Sequence, residues 1–292
     1  VAPAQVVRFQ TTMGDFDMVL NPTHNTKLQA HVDNMLDYVE RGSYNGVWIN
    51  RSDRLDNGTP FVLQMGGLYS MTARPIGSSI NARSVRSFAP VPGEPASENP
   101  GLSNTVGTVS LALSGNPDGQ TTNQNSGTTS FFVNAGNNSG LDGDFTVFAA
   151  ISDMSVINQI MALTTLDRTQ DPVFGEDPRN LTFTDVPIQA DGKQVFIKRA
   201  FVLSDAIAIT QAKSSVQSVV AQSQATFTDS AASLADSSNL IVPPDVPAAA
   251  LTSDVGLSSG GGLTTNVVPE PASAALVTLA ISALMCARRR RR

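Results

Sequence analysis

Cys286 is the only cysteine of this 292-residue chain, and His24 and His31 are its only histidines. A lone thiol inside the apolar run Ala272 to Ala287 allows no intramolecular disulfide, no zinc cluster and no thiol active site in the body of the chain. His31 falls within a helix-like period and His24 in the polar run Asn21-Pro22-Thr23-His24-Asn25. Neither shows the orienting partner that a catalytic imidazole needs, so a Ser-His-Asp hydrolase has little support. Charge excludes another class. Lys and Arg number 19 against 25 Asp and Glu, and five of the basic residues form the block Arg288 to Arg292. Without that block the chain carries 14 basic against 25 acidic side chains, a net charge of about −11, which argues against a nucleic-acid partner. What remains for chemistry are the carboxylates, the basic side chains and the hydroxyl and amide groups, and composition alone selects none of them.

The elements that would position these residues are mostly strands. Gln5 to Gln10 and Asp15 to Leu20 alternate apolar and polar residues around Met13-Gly14, as in a β-hairpin. Leu28, Val32, Met35, Leu36 and Val39 recur at spacings of three and four, with Gly42 beyond, which predicts an amphipathic helix with a glycine stop. Gly46 to Asn50, Phe61 to Gln64, Thr108 to Leu113, Ser130 to Val133 and Thr146 to Ile151 are short apolar runs separated by Gly, Pro, Asn and Ser. That texture favours an antiparallel barrel over a parallel α/β sheet. Ile157, Ile160 and Met161 suggest a second helix, and Val195 to Ile197 with Ala200 to Leu203 suggest closing strands. Met71 to Pro95 and Asn116 to Gly127 read as long irregular loops. With 41% apolar residues the chain has enough to build a core.

Ser103-Asn104-Thr105-Val106-Gly107-Thr108-Val109-Ser110-Leu111-Ala112, Phe131-Phe132-Val133-Asn134 and Leu141-Asp142 with Phe145-Thr146-Val147-Phe148 follow in an order and spacing that resembles the core of the cyclophilin-type peptidyl-prolyl isomerases. The resemblance extends upstream through Val32 to Leu36, Tyr44-Asn45-Gly46 and Phe61 to Gln64 with Gly66-Gly67, and covers residues 5–204. It implies a mainly β fold, a closed antiparallel barrel capped by two α-helices, and isomerisation of X-Pro bonds without cofactor or metal. Rotation about that amide faces a barrier of ~18–20 kcal/mol, and uncatalysed exchange takes roughly tens to hundreds of seconds. No covalent intermediate is needed. The reaction needs an apolar pocket for the proline ring and a donor that stabilises the nitrogen lone pair once resonance breaks.

By resemblance the donor is Arg51, in Ile49-Asn50-Arg51, where the family has Phe-His-Arg. The plain alternative is a surface arginine paired with Asp53 or Asp56. Phe61 and Val62 match the family's aromatic-aliphatic pair, Gln64 its substrate-backbone contact, Phe132 the pocket floor and Leu141 the aliphatic wall. Ala112, Leu113, Ser130 and Phe145 complete the substrate-binding set, while Phe131 and Phe148 are expected in the core. Leu113 and Ser130 stand where the family commonly has Asn and Gln, Gly140 and Phe145 where it often has Trp and His, and Met65 replaces a usual glycine. Two functional classes follow: an exported isomerase assisting the folding of proline-containing envelope proteins, or a cyclophilin-like binding or structural module with degraded turnover.

Beyond the barrel the composition shifts. Residues 205–267 are rich in Ser, Ala, Thr, Val and Gln, which predicts a disordered spacer with at most a transient helix near Ser214 to Ala225. Residues 268–292 hold Pro269-Glu270-Pro271, then an apolar stretch over 272–287 and the arginine block. A helix over 272–287 would span about 24 Å against a ~30 Å bilayer core, with the arginines on the cytoplasmic side. This layout resembles the PEP-CTERM sorting signal of bacterial envelope proteins. The resemblance implies an exosortase-type processing enzyme as partner, an inner-membrane intermediate and final residence at the cell envelope, surface or matrix. Val1-Ala2-Pro3-Ala4 is similar to the small-residue neighbourhood of a signal-peptide cleavage site, in keeping with export.

Overall fold

Apolar alternation on both sides of Met13 folds the first hairpin, β1 (Val6–Thr11) with β2 (Gly14–Leu20). Its turn closes through Gly14 at φ +125° and a Thr11 Oγ1 to Gly14 carbonyl hydrogen bond of 2.6 Å. The structure is a computed structural model that describes residues 4–70, 82–94, 101–116, 121–169, 173–174 and 183–237. After the hairpin comes α1 (Gln29–Glu40), which turns Val32, Met35, Tyr38 and Val39 into the core and ends before Gly42 at φ +67°.

The strands that follow are β3 (Val47–Arg54), β4 (Pro60–Ser70), β5 (Ala82–Ser84), β6 (Thr108–Leu111), β7 (Phe131–Asn134) and β8 (Val147–Ile151). Next come α2 (Ser155–Met161), β9 (Thr164–Leu166), β10 (Val173–Phe174), β11 (Val186–Ile188) and β12 (Ile197–Val202). The main sheet runs β10-β5-β4-β7-β6-β8-β2-β1-β12, with β3 also paired to β4. Gly46 N donates to Ile197 O at 2.8 Å and Ile49 N to Val195 O at 2.9 Å, so β3 comes round to the chain entering β12. The result is the expected mainly β, antiparallel and nearly closed barrel. Phe9, Tyr44 and Phe131 fill its interior, with ring centroids 5.6 to 5.8 Å apart. Phe131 and Phe148 are both fully buried core residues, as expected. A small second sheet, β9 with β11, lies beside Trp48 and Phe183 and was not legible in the apolar pattern.

The disordered spacer expected over 205–267 is corrected at its start. Residues Ala206–Ser237 form one continuous helix, α3, of 32 residues. Through Thr226, where its side chains are described, α3 lies on the barrel with Ala212 and Val216 buried against Val6, Val19, Ala150 and Leu203. Packing of this small-residue face orders a segment whose composition alone would not. The rest of the spacer, Pro269-Glu270-Pro271 and the 272–287 stretch lie outside the described residues. Among the described residues no helix is long and apolar enough to cross a membrane.

Candidate functional site

β3 and β4 do not pair in simple alternation. Ile49 lies opposite Met65, yet Arg51 lies opposite Gln64, so Asn50 is an extra residue, a β-bulge. Without it Arg51 would share a face with Ile49, whose side chain is in the core. The bulge moves Arg51 to the outer face. There the ladder continues from Gln64 to Phe132 in β7 and from Phe132 to Ser110 in β6. Directly opposed residues share a face, so Arg51, Gln64, Phe132 and Ser110 form one row across four strands. Gly66, at φ +98°, lets β4 press close to the neighbouring chain, because a Cβ there would sit 2.5 Å from the Thr129 carbonyl.

Arg51 is 4% exposed and so is not the surface arginine of the alternative reading, although it does pair with Asp53. Its Nη2 donates to Asp53 Oδ2 at 2.7 Å. Its Nε and Nη1, and Gln64 Oε1, are buried without a hydrogen-bond partner among the described residues. Burial pushes the Asp53 carboxyl upward, and the Arg51 charge partly offsets that shift. Two buried guanidinium nitrogens left without an acceptor are costly in an isolated fold, and they are what a site for a polar backbone requires.

The apolar candidates gather around the row. Phe145 meets Phe132 edge-on at 5.4 Å. Val62 lies one pair along from Gln64 on the same face, opposite Asn134. The Ala112 N–H donates to the Ser130 carbonyl at 2.8 Å, next along from Ser110 and Phe132. Leu141 lies in the 3-10 turn Ser139–Leu141 and is 2% exposed. Leu113 behaves differently. It is buried with Leu111 against Gly127, where an added Cβ would meet both side chains.

Behind these residues runs a buried polar network whose members the motifs contain but whose role their spacing does not reveal. Asp142 accepts from Ser103 Oγ at 2.5 Å, from Asn104 N at 2.7 Å and from Asn104 Nδ2 at 2.9 Å. Asn104 Oδ1 accepts from Ser110 Oγ at 2.7 Å and from Asn134 Nδ2 at 3.2 Å. Asn138 Nδ2 reaches both Asn134 Oδ1 and the Phe61 carbonyl at 2.8 Å, and the Asn138 carbonyl takes the Leu141 N–H at 2.8 Å. The backbone at Phe61 and Leu141 and the Ser110 side chain are thus tied to one satisfied cluster, which holds side chains more firmly than apolar contact alone. Among the described residues no group of acidic, histidine or cysteine side chains is placed to hold a metal ion.

The histidines take no part in the row. His31 is buried in α1, 6.1 Å from the Phe148 ring, and burial lowers its pKa from 6.5 to about 4. The fold therefore binds fewer protons at His31 than the unfolded chain does between those values, so stability falls as pH drops from 6.5 towards 4. Between pH 7 and pH 5 the loss is about 2 kcal/mol. His31→Leu is expected to remove that increment from urea unfolding curves measured at the two pH values. A variant with the wild-type pH dependence would clear His31 of responsibility.

Fold and row together define a β-barrel protein whose candidate site combines apolar side chains with an arginine and an amide, and contains no cysteine or histidine nucleophile. Residues 6–176 match the family described as cyclophilin type peptidyl-prolyl cis-trans isomerase/CLD. The chain belongs to that family, whose activity is the cis–trans isomerisation of X-Pro bonds. It is 29% identical over 161 residues to a peptidyl-prolyl cis-trans isomerase of Acinetobacter baylyi, an alignment covering 53% of this chain and 71% of that protein. Among solved structures it is similar to a Cryptosporidium parvum cyclophilin type peptidyl-prolyl cis-trans isomerase, at 18% identity over 70% of this chain and 99% of that one, with a TM-score of 0.43. The crystal structure of that isomerase in the presence of the dipeptide Ala-Pro aligns at 16% identity over 69% and 100%, with a TM-score of 0.44.

Proposed function

We propose that this chain is an exported isomerase acting on proline-containing polypeptides, with Arg51 as the group that stabilises the twisted amide. The observation that carries the reading is the row itself. Arg51 keeps Nε and Nη1 unpartnered while Asp53 holds its Nη2, and Gln64 and Phe132 follow it on the same face. Resonance in the X-Pro amide ties up the nitrogen lone pair, and twisting the bond releases it as a hydrogen-bond acceptor. An N–H of Arg51 donated to that nitrogen is worth more in the twisted state than in either planar isomer, which is the condition for catalysis. Burial strengthens the interaction, and the ion pair to Asp53 keeps the guanidinium from reorienting.

Phe132, backed by Phe145, supplies the floor for the proline ring, with Phe61, Val62 and Leu141 as its apolar surround. Gln64, Ala112 and Ser130 contact the substrate backbone and flanking residues, and Leu113, packed with Leu111 at Gly127, backs that wall. No bond is broken and no proton moves, so neither nucleophile nor cofactor is required. The reading is tested by two-dimensional exchange NMR of an Xaa-Pro peptide with and without the protein. Acceleration of cis–trans exchange supports it, and an unchanged exchange rate in the presence of folded protein defeats it.

The tail supports export. Pro269-Glu270-Pro271 ahead of an apolar stretch and Arg288 to Arg292 suits an inner-membrane stop with the arginines inside and the Pro-Glu-Pro motif outside, open to an exosortase-type enzyme. Mature protein is expected to end near Val268 to Ala272, with no peptide containing Cys286 in mass spectra of native material. An intact arginine terminus on surface material would contradict processing, and the whole chain in the cytosol would contradict export.

A further inference from the structure

α3 lies beyond the segment matched to the family, yet it shares the face of the barrel that carries the candidate site. One outer row of the sheet runs through Val6, Val19, Ala150 and Thr108, and Thr108 Oγ1 accepts from Asn134 Nδ2 at 2.9 Å. It continues to Val62 and Asp53. α3 covers the first three of these residues, and the site occupies the far end. The parallel row, Arg51 to Gln64 to Phe132 to Ser110, ends on Val147, and Val147 packs against Val220 of α3 together with Leu102. One turn further along, Ser223, fully buried, donates through Oγ to the Ser103 carbonyl at 2.7 Å. Ser103 in turn donates to Asp142, which holds Asn104, which receives Ser110 beside Phe132.

We infer that α3 completes the isomerase site and that Ser223 is a positioning residue, acting through Ser103, Asp142 and Asn104 on the wall that contains Ser110 and Phe132. This rests on the proposed assignment of that wall to substrate. The physical ground is the asymmetry of the contact. Ala212 and Val216 attach the helix by apolar burial, which fixes where it lies but transmits little direction. The Ser223 hydrogen bond fixes the Ser103 carbonyl, and hence the peptide leading into Asn104, whose N–H and side chain both bind Asp142. Losing it leaves that carbonyl with the Thr105 N–H alone, at 2.8 Å, and frees the segment to shift.

The test compares two variants of the full chain. Val216→Ala cuts into the α3 anchor without touching the chain of hydrogen bonds, and Ser223→Ala breaks that chain with a smaller loss of packing. Ser223→Ala is expected to raise KM for an Ala-Ala-Pro-Phe peptide about fivefold with kcat nearly unchanged, the size set by one lost hydrogen bond. Ser223→Thr, which keeps the donor, is expected to restore wild-type KM. Val216→Ala is expected to lower the urea midpoint by more than Ser223→Ala while leaving KM unaltered. Equal effects of both variants on KM, or a wild-type KM for Ser223→Ala, would overturn the inference and leave α3 a structural strap. Amide NMR shifts provide a readout independent of turnover. Changes at Asn104, Ser110 and Phe132 in Ser223→Ala, absent in Val216→Ala, are expected even if the wild-type protein shows no isomerase activity, an outcome that would defeat the functional reading alone. Unmoved signals at those residues would defeat the positioning role directly.

Discussion

Arg51→Ala is expected to lower kcat/KM for isomerisation of an Xaa-Pro peptide by about 10²–10³-fold, the usual cost of removing one preorganised donor from a site where charge redistributes in the transition state. The circular dichroism spectrum should be retained, because the barrel interior is built from Phe9, Tyr44, Phe131 and their neighbours on the opposite face of the sheet. Stability is the confounding quantity, since the substitution leaves Asp53 buried without its partner. Its carboxyl, already pushed up by burial, then loses the opposing effect of the Arg51 charge and is driven further towards protonation. Arg51→Ala combined with Asp53→Asn is therefore expected to regain stability without regaining activity. Arg51→Lys keeps the charge but not the planar fork, and only partial activity is expected from it. Wild-type turnover in Arg51→Ala would remove Arg51 from the mechanism.

The largest expected effect on stability is at Asp142. Its two oxygens satisfy Ser103 Oγ, Asn104 N and Asn104 Nδ2, and Ser103 and Asn104 are fully buried. Asp142→Ala strands the Ser103 Oγ–H and the Asn104 N–H and leaves Asn104 Nδ2 only its 3.4 Å bond to the Phe145 carbonyl, and at about 1–3 kcal/mol for each unsatisfied group the loss should reach roughly 3–5 kcal/mol after relaxation. Asp142→Asn, which keeps one acceptor oxygen, should lose less. Urea unfolding of the two variants beside the wild type measures both. A loss under about 1 kcal/mol for Asp142→Ala would show that water or rearrangement replaces the carboxylate, and that the network does not hold the wall.

Much of the barrel is legible in the chain because its strands are short, apolar and bounded by turn residues. The β1–β2 hairpin around Met13, α1 ending before Gly42, and β6 to β8 all fall where period and punctuation place them. The candidate site is legible for a different reason. Its residues lie in motifs that resemble a known family, and their spacing carries across even where single side chains depart. What the motifs do not convey is orientation. The bulge at Asn50 reverses the face on which Arg51 would otherwise lie, and nothing in Ile49-Asn50-Arg51 signals a bulge. The polar network is equally hidden, since Asn104, Asn134, Asn138 and Asp142 look like ordinary turn residues until the fold brings them together.

α3 is legible in the chain only as a transient helix near Ser214 to Ala225, and the reason is energetic. Ala208, Ala212, Val216, Val220 and Ser223 do recur at helical spacing. Small side chains each bury little area, so the period is faint, and Ser and Thr between them lower helix propensity. Only the matching apolar strip on the barrel, Val6, Val19, Ala150 and Val147, shows why the segment folds. Those four residues were readable as strand residues from the start, but as outward-facing ones they needed a cover, and the sequence places its cover far downstream.

The central claim is that the row from Arg51 to Phe132 turns over X-Pro bonds, and exchange NMR of a proline peptide with the full chain tests it most directly. Uncatalysed exchange takes roughly tens to hundreds of seconds. With substoichiometric wild-type protein, cis–trans exchange cross-peaks are expected within mixing times of a second or less, and they should vanish with Arg51→Ala at the same concentration. Exchange that stays at the uncatalysed rate with the folded wild-type chain, or that persists undiminished in Arg51→Ala, would contradict the account.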